Sequence, residues 1–142
     1  MSPRSASSAH DPIRVALVDG SRRQREGWAL LLGSQSDLVV AGQASDGARA
    51  LTLLRRTPVD VVLAAIRLPR GSGLDLAARI RDDARVAELG RRPRVILLAT
   101  LDLDQHVPAA AAAEAYAVVY KDIEAEALLG AIREAAAFDG EH

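Results

Sequence analysis

The 142-residue chain contains no cysteine. Disulfide scaffolds, cysteine nucleophiles and thiolate metal sites are therefore excluded. Charge of one sign is also lacking: the formal net charge is −1, so neither a disordered, highly charged segment nor a basic nucleic-acid-binding surface is indicated. No apolar run approaches the length of a membrane span, and residues 1–12, MSPRSASSAHDP, lack the apolar stretch of a signal peptide. These residues read as a flexible tail, and the expected location is the cytoplasm. Lysine is almost absent, since 17 of the 18 basic residues are arginine and Lys121 stands alone. Finally, residues 59–73, VDVVLAAIRLPRGSG, carry no acidic residue after Asp60.

At this length, with 49% hydrophobic residues, the chain suits one domain with a real core. Five short apolar runs recur: IRVALVD (13–19), LVVAGQ (38–43), VDVVLAA (59–65), RVILLA (94–99) and YAVVY (116–120). The first, third and fourth are nearly continuous in apolar residues, as central strands of a parallel sheet covered on both faces are. Between them, helical patterns fall at 21–33, with Trp28, Leu31 and Leu32 on one stripe, and at 46–56, with Ala50, Leu51 and Leu54 turned inward. A third helix is predicted from Ser72 or Gly73 to residue 81 and a last one over 122–138, opened by Asp122 as 46–56 is by Asp46. A fourth helix over 104–114 is the weakest, because Pro108 would lie beyond its first turn if it started at Asp104. No internal repeat is visible. The alternation predicts a three-layer (βα)₅ domain of class α/β over 13–138, with any site along the carboxyl edge of the strands.

The stretches IRVALVDGSRRQREGWALLL, VDVVLAAIRLPRGSGLDLAARIR, PRVILLATLDLD and VVYKDIEAEALLGAIREAA follow one another in the order of a known family. The chain resembles a response-regulator receiver domain, in particular that of regulators carrying a LuxR-type helix-turn-helix. The resemblance spans about residues 13–137 and implies a flavodoxin-like fold with a five-stranded parallel sheet in the order 2-1-3-4-5.

It also implies a site. In such receivers an aspartate closing strand three accepts a phosphoryl group from a histidine kinase, and the matching position here is Ala65. A methyl group accepts no phosphoryl, and its neighbours Ala64 and Ile66 offer no substitute. Two adjacent acids at the end of strand one hold Mg²⁺ in the family, and here they read Asp19 and Gly20. One carboxylate without a phosphoryl partner is a poor site for a hard, octahedral ion, so no metal or other cofactor is expected. Thr100 and Lys121 match the hydroxyl and lysine of the family pocket, and the expected partner of Lys121 is Asp19. The aromatic of the family switch is replaced by Val118, with Tyr116 and Tyr120 nearby. Acceptor, metal carboxylate and aromatic lever are all altered.

Arg67 and Arg70 beside this position read first as a solvated loop, with an anion or an acidic partner as the sharper option, and RRQR at 22–25 is read in the same way. Pro69 is expected to fix the loop and Gly73 to allow tight entry into the third helix. Neither an enzyme nor a metal site is expected from His10, His106 and His142, whose spacing suits no metal or catalytic pair. The function implied is a regulatory domain independent of phosphorylation, acting through homodimerisation or contact with a DNA-binding helix-turn-helix domain beyond this chain. Residues 139–142 would then open a linker. The expected dimer face combines helix one with Leu128, Leu129, Ile132 and Phe138 of the last helix. Two other readings are a sensor whose unknown small ligand sits near Ala65, Asp19, Thr100 and Lys121, and a stand-alone protein-binding module. No membrane partner is expected.

Overall fold

The structure is a computed structural model, and it describes residues 11–90, 92–100 and 115–138. The five main strands are β1 (Ile13–Val18), β2 (Leu38–Ala44), β3 (Val61–Ala65), β4 (Arg94–Ala99) and β5 (Ala117–Tyr120). They form one parallel sheet in the order β2-β1-β3-β4-β5, as the sequence predicts. The helices are α1 (Arg22–Gly33), α2 (Gly47–Leu54), α3 (Gly73–Asp82) and α4 (Ala125–Ala137), with one further turn over Ala84–Ala87. The helix expected over 104–114, with Pro108 and His106, lies outside the described residues, as do His10 and His142.

Strand alternation builds the three layers. Successive side chains leave a strand on opposite faces. In β1, Ala16 and Val18 join the core cluster of α2 and α3, which contains Leu51, Leu54, Leu76 and Ile80. Val15 and Leu17 join the opposite cluster, with Trp28 and Leu32 of α1 and Leu129 and Ile132 of α4. All five residues of β3 are buried, as is every residue of β4 after Arg94, because both strands are covered on both faces.

Local chemistry sets where the helices begin. Ser21, Asp46 and Ser72 each accept a hydrogen bond from the backbone N–H three residues on, which satisfies a donor that the first turn leaves open. Asp83 does the same for the turn at Ala84–Ala87, which the sequence analysis did not anticipate, and takes a salt bridge from Arg55 at 2.7 Å. The last helix corrects the expectation. A turn in which Ile123 N–H donates to the Tyr120 carbonyl at 3.0 Å takes Asp122 out of the helix. α4 instead starts after Glu124, which makes no side-chain cap.

The expected dimer face is also corrected. Leu128, Leu129 and Ile132 are 3%, 1% and 0% exposed, because they are the side chains with which α4 covers the sheet. Of the four residues named, only Phe138 is exposed, and its ring lies 5.4 Å from that of Tyr116 and 5.1 Å from the Arg94 guanidinium. On the outer side, Arg133 of α4 holds Asp37 through two hydrogen bonds of 2.8 and 2.9 Å. That guanidinium keeps the Asp37 carboxyl below its ordinary range.

Candidate functional site

A parallel sheet delivers the ends of its strands to one edge. Asp19 follows β1, Ala65 ends β3, Thr100 follows β4 and Lys121 follows β5. Register brings them together: Val18 pairs with Ala64, Ala65 with Leu98 and Ala99 with Tyr120, while the Lys121 N–H donates to the Ala99 carbonyl at 2.8 Å.

The lone lysine has the partner expected for it. Lys121 Nζ donates to Asp19 Oδ2 at 2.9 Å, joining residues 102 positions apart in the chain. The other carboxylate oxygen, Oδ1, accepts the Ser21 N–H at 2.8 Å. Asp19 is 4% exposed, whereas the lysine side chain keeps 27% of its surface in solvent. Arg25 donates to the Asp19 carbonyl and, at 3.2 Å, to the Gln43 amide oxygen, so one arginine of the RRQR run braces this edge rather than standing free in solvent. Thr100 is half-buried beside the pair.

Removing the ammonium strands a buried carboxylate with one backbone donor left. Lys121→Met is expected to destabilise the domain by about 1–3 kcal/mol, below the range for fully buried pairs because the lysine is partly solvated. Urea denaturation measures this. Asp19→Asn combined with Lys121→Met should recover part of the loss, and a double variant weaker than the sum of the two singles would rule out the pair as its source.

Ala65 is 1% exposed, its methyl packed within the α2–α3 core cluster. Beyond it, Ile66 N–H donates to the Leu98 carbonyl at 3.0 Å and Gly73 N–H to the Ile66 carbonyl at 2.8 Å. The next position of interest, Gly20, is covered: a methyl built there would lie 2.9 Å from both Cδ and Cγ of Pro69. The donor set therefore does not fit Mg²⁺. One position has no side chain, one has a methyl, and the single carboxylate already serves Lys121 and Ser21. Among the described residues no group of three or more His, Asp or Glu side chains is arranged to hold a metal.

Val118 is half-buried and packs with Tyr120 against the α2–α3 cluster, whereas Ala117 and Val119 pack on the opposite one, as strand alternation predicts. Tyr116 precedes the strand and meets Phe138 instead.

One part of this edge escaped the sequence. Asp46 is legible as a cap, but it is also 3% exposed and paired with two arginines, Arg49 at 2.9 Å and Arg70 of the loop after β3. The Arg49 N–H, at 2.8 Å from Oδ1, holds its carboxyl below the ordinary range; burial opposes this, and the Arg49 and Arg70 guanidinium groups reinforce it. Arg70 thus has an acidic partner within its own chain.

Comparison with known proteins agrees with this architecture. Residues 15–133 match the response regulator receiver domain family. The chain is 34% identical over 126 residues to the transcriptional regulatory protein YxjL of Bacillus subtilis, covering 89% of this chain and 55% of YxjL. It is 34% identical over 125 residues to the nitrate/nitrite response regulator protein NarP of Escherichia coli, covering 88% of this chain and 55% of NarP. It thus spans little more than half the length of these curated relatives. Among solved structures, the signal receiver domain of the putative response regulator NarL from Mycobacterium tuberculosis superposes with a TM-score of 0.76 at 26% identity, covering 92% of this chain and 99% of that one. The chain belongs to the response-regulator receiver domains, a family of non-catalytic signalling modules.

Proposed function

We propose that this receiver domain regulates transcription without being phosphorylated at the end of β3. The observation that carries the reading is Ala65: the position where the resemblance sets the phosphoacceptor holds a buried methyl, and the lysine beside it is paired with Asp19. Support for the transcriptional role comes from the names of YxjL and NarP, a transcriptional regulatory protein and a response regulator. Both extend well beyond the matched part. In our reading the corresponding part of the full protein is a LuxR-type helix-turn-helix domain that binds DNA in the cytoplasm. Output comes from homodimerisation or from contact with that domain. Leu128, Leu129 and Ile132 are committed to the core, so a dimer would use other surfaces.

A small ligand at this edge is the weaker reading, because Ala65 is 1% exposed and the carboxylate and ammonium nearby engage each other. Sedimentation velocity across the micromolar range, with and without Mg²⁺ and beryllofluoride, tests the proposal. The expected sedimentation coefficient ignores both additives, whether the domain is monomer or dimer. A shift that requires Mg²⁺ and beryllofluoride together would refute it, since that pair mimics a phosphorylated carboxylate.

A further inference from the structure

The segment from Arg67 to Ser72 is more than a connection. Arg67–Leu68 and Gly71–Ser72 pair as a small antiparallel ribbon, with Arg67 opposite Ser72 and Leu68 opposite Gly71. Its two-residue turn is Pro69 and Arg70, and Arg70 has φ 58°, the only positive φ of a non-glycine residue among the described residues. That region of backbone space is steric strain for an arginine and none for a glycine. A strained residue held in place by its surroundings marks a position where the side chain has work that the backbone alone does not require.

That side chain reaches Asp46, 24 residues earlier in the chain, and the carboxylate it finds is 5% exposed. Asp46 is itself fixed, since its Oδ1 caps α2 through the Arg49 N–H. One residue before Arg70, the Pro69 ring sits where a side chain of residue 20 would begin. At the base of the ribbon, Leu68 is 8% exposed and joins the core. The ribbon is thus pinned at two separate points, an ion pair on α2 and a ring seated in a recess at the end of β1. Beside it, Asp46, Pro69, Arg70, Ser72 and Arg79 border a cleft of about 110 Å³ that the ribbon partly walls.

We infer that the ribbon is a latch over the carboxyl edge of the sheet, with Asp46 as its catch and Gly20 as the recess that lets it close. A carboxylate at position 20 and a closed ribbon exclude each other, because Pro69 and a side chain there would occupy the same space. The closed state is therefore held by this chain's own arginine, with no bound ion required. The latch has two separable states: closed, with Arg70 on Asp46, and open, with the cleft widened and the end of β1 uncovered. It concerns the ribbon alone, so phosphoryl labelling of the domain can succeed or fail without moving it.

Hydrogen exchange of the whole chain, read by mass spectrometry on peptides covering 67–72, tests the latch. Three variants remove one element each. Arg70→Gly deletes the guanidinium and keeps a residue at ease with positive φ. Asp46→Asn keeps a good helix cap and deletes the charge. Gly20→Ala fills the recess. Each is expected to speed exchange at 67–72 by roughly tenfold or more while the amides of β1 and β3 keep their protection, which separates local opening from unfolding. A ribbon that exchanges as slowly in Arg70→Gly or Asp46→Asn as in the wild type overturns the catch. One that is unmoved in Gly20→Ala overturns the recess.

Discussion

Gly73→Ala is expected to destabilise the domain by about 3 kcal/mol, an overpacking effect at the upper end of its usual range. A Cβ at this position would lie 2.4 Å from the Ala65 carbonyl oxygen and 2.7 Å from Leu97 Cδ2. Neither neighbour can yield easily. Ala65 closes the buried central strand β3, and Leu97 is fully buried in β4. Nor can α3 move away, because the Gly73 N–H is bonded to the Ile66 carbonyl at 2.8 Å and Leu76, Ala77 and Ile80 are packed on the sheet. The glycine is required by this close approach of helix and strand. Urea denaturation measures the loss, and a change below about 1 kcal/mol would mean that α3 can lift from β3 more freely than this packing allows.

Ile132→Ala should be comparably severe, at about 2–5 kcal/mol, the range for truncating a large aliphatic core residue. The side chain is fully buried, in the cluster it shares with Leu17, Leu63, Ile96 and Leu98. Its loss leaves a cavity between α4 and the sheet. Where the variant remains folded, its self-association should equal that of the wild type. The opposite pattern, unchanged stability with altered association, would restore Ile132 to a dimer face and contradict the packing described above.

The sequence makes the middle of this fold legible for a physical reason. Strands β1, β3 and β4 are covered on both sides, so their residues are almost uniformly apolar and stand out as runs. Helix starts are legible where a short polar side chain does the capping, as at Ser21, Asp46 and Ser72. At α4 the same rule misleads, because Asp122 belongs to a turn and no side chain caps the helix. The spacing of Leu128, Leu129 and Ile132 marks an apolar stripe but carries no label saying whether a sheet of the same chain or a second copy lies beneath it.

At the site, the Lys121–Asp19 pair could be anticipated because a single lysine among arginines draws notice and the resemblance placed it beside a strand-one acid. The Arg70–Asp46 pair could not. Nothing in RLPRGSG marks Arg70 for positive φ, a conformation that sequence reasoning assigns to glycine or asparagine. The contact of Pro69 with the space above Gly20 joins residues far apart in the chain and becomes visible only once the loop is folded back over β1.

The central claim, that this receiver does not run on phosphoryl transfer at β3, meets its most direct test in a labelling experiment. The wild-type domain is incubated with acetyl phosphate and Mg²⁺ and its intact mass recorded, alongside a receiver domain that retains an aspartate at the acceptor position. The account predicts a phosphoryl adduct on the control and none on this chain. A stoichiometric adduct on this chain, mapped to Asp19 or any other group at the carboxyl edge of the sheet, would contradict it.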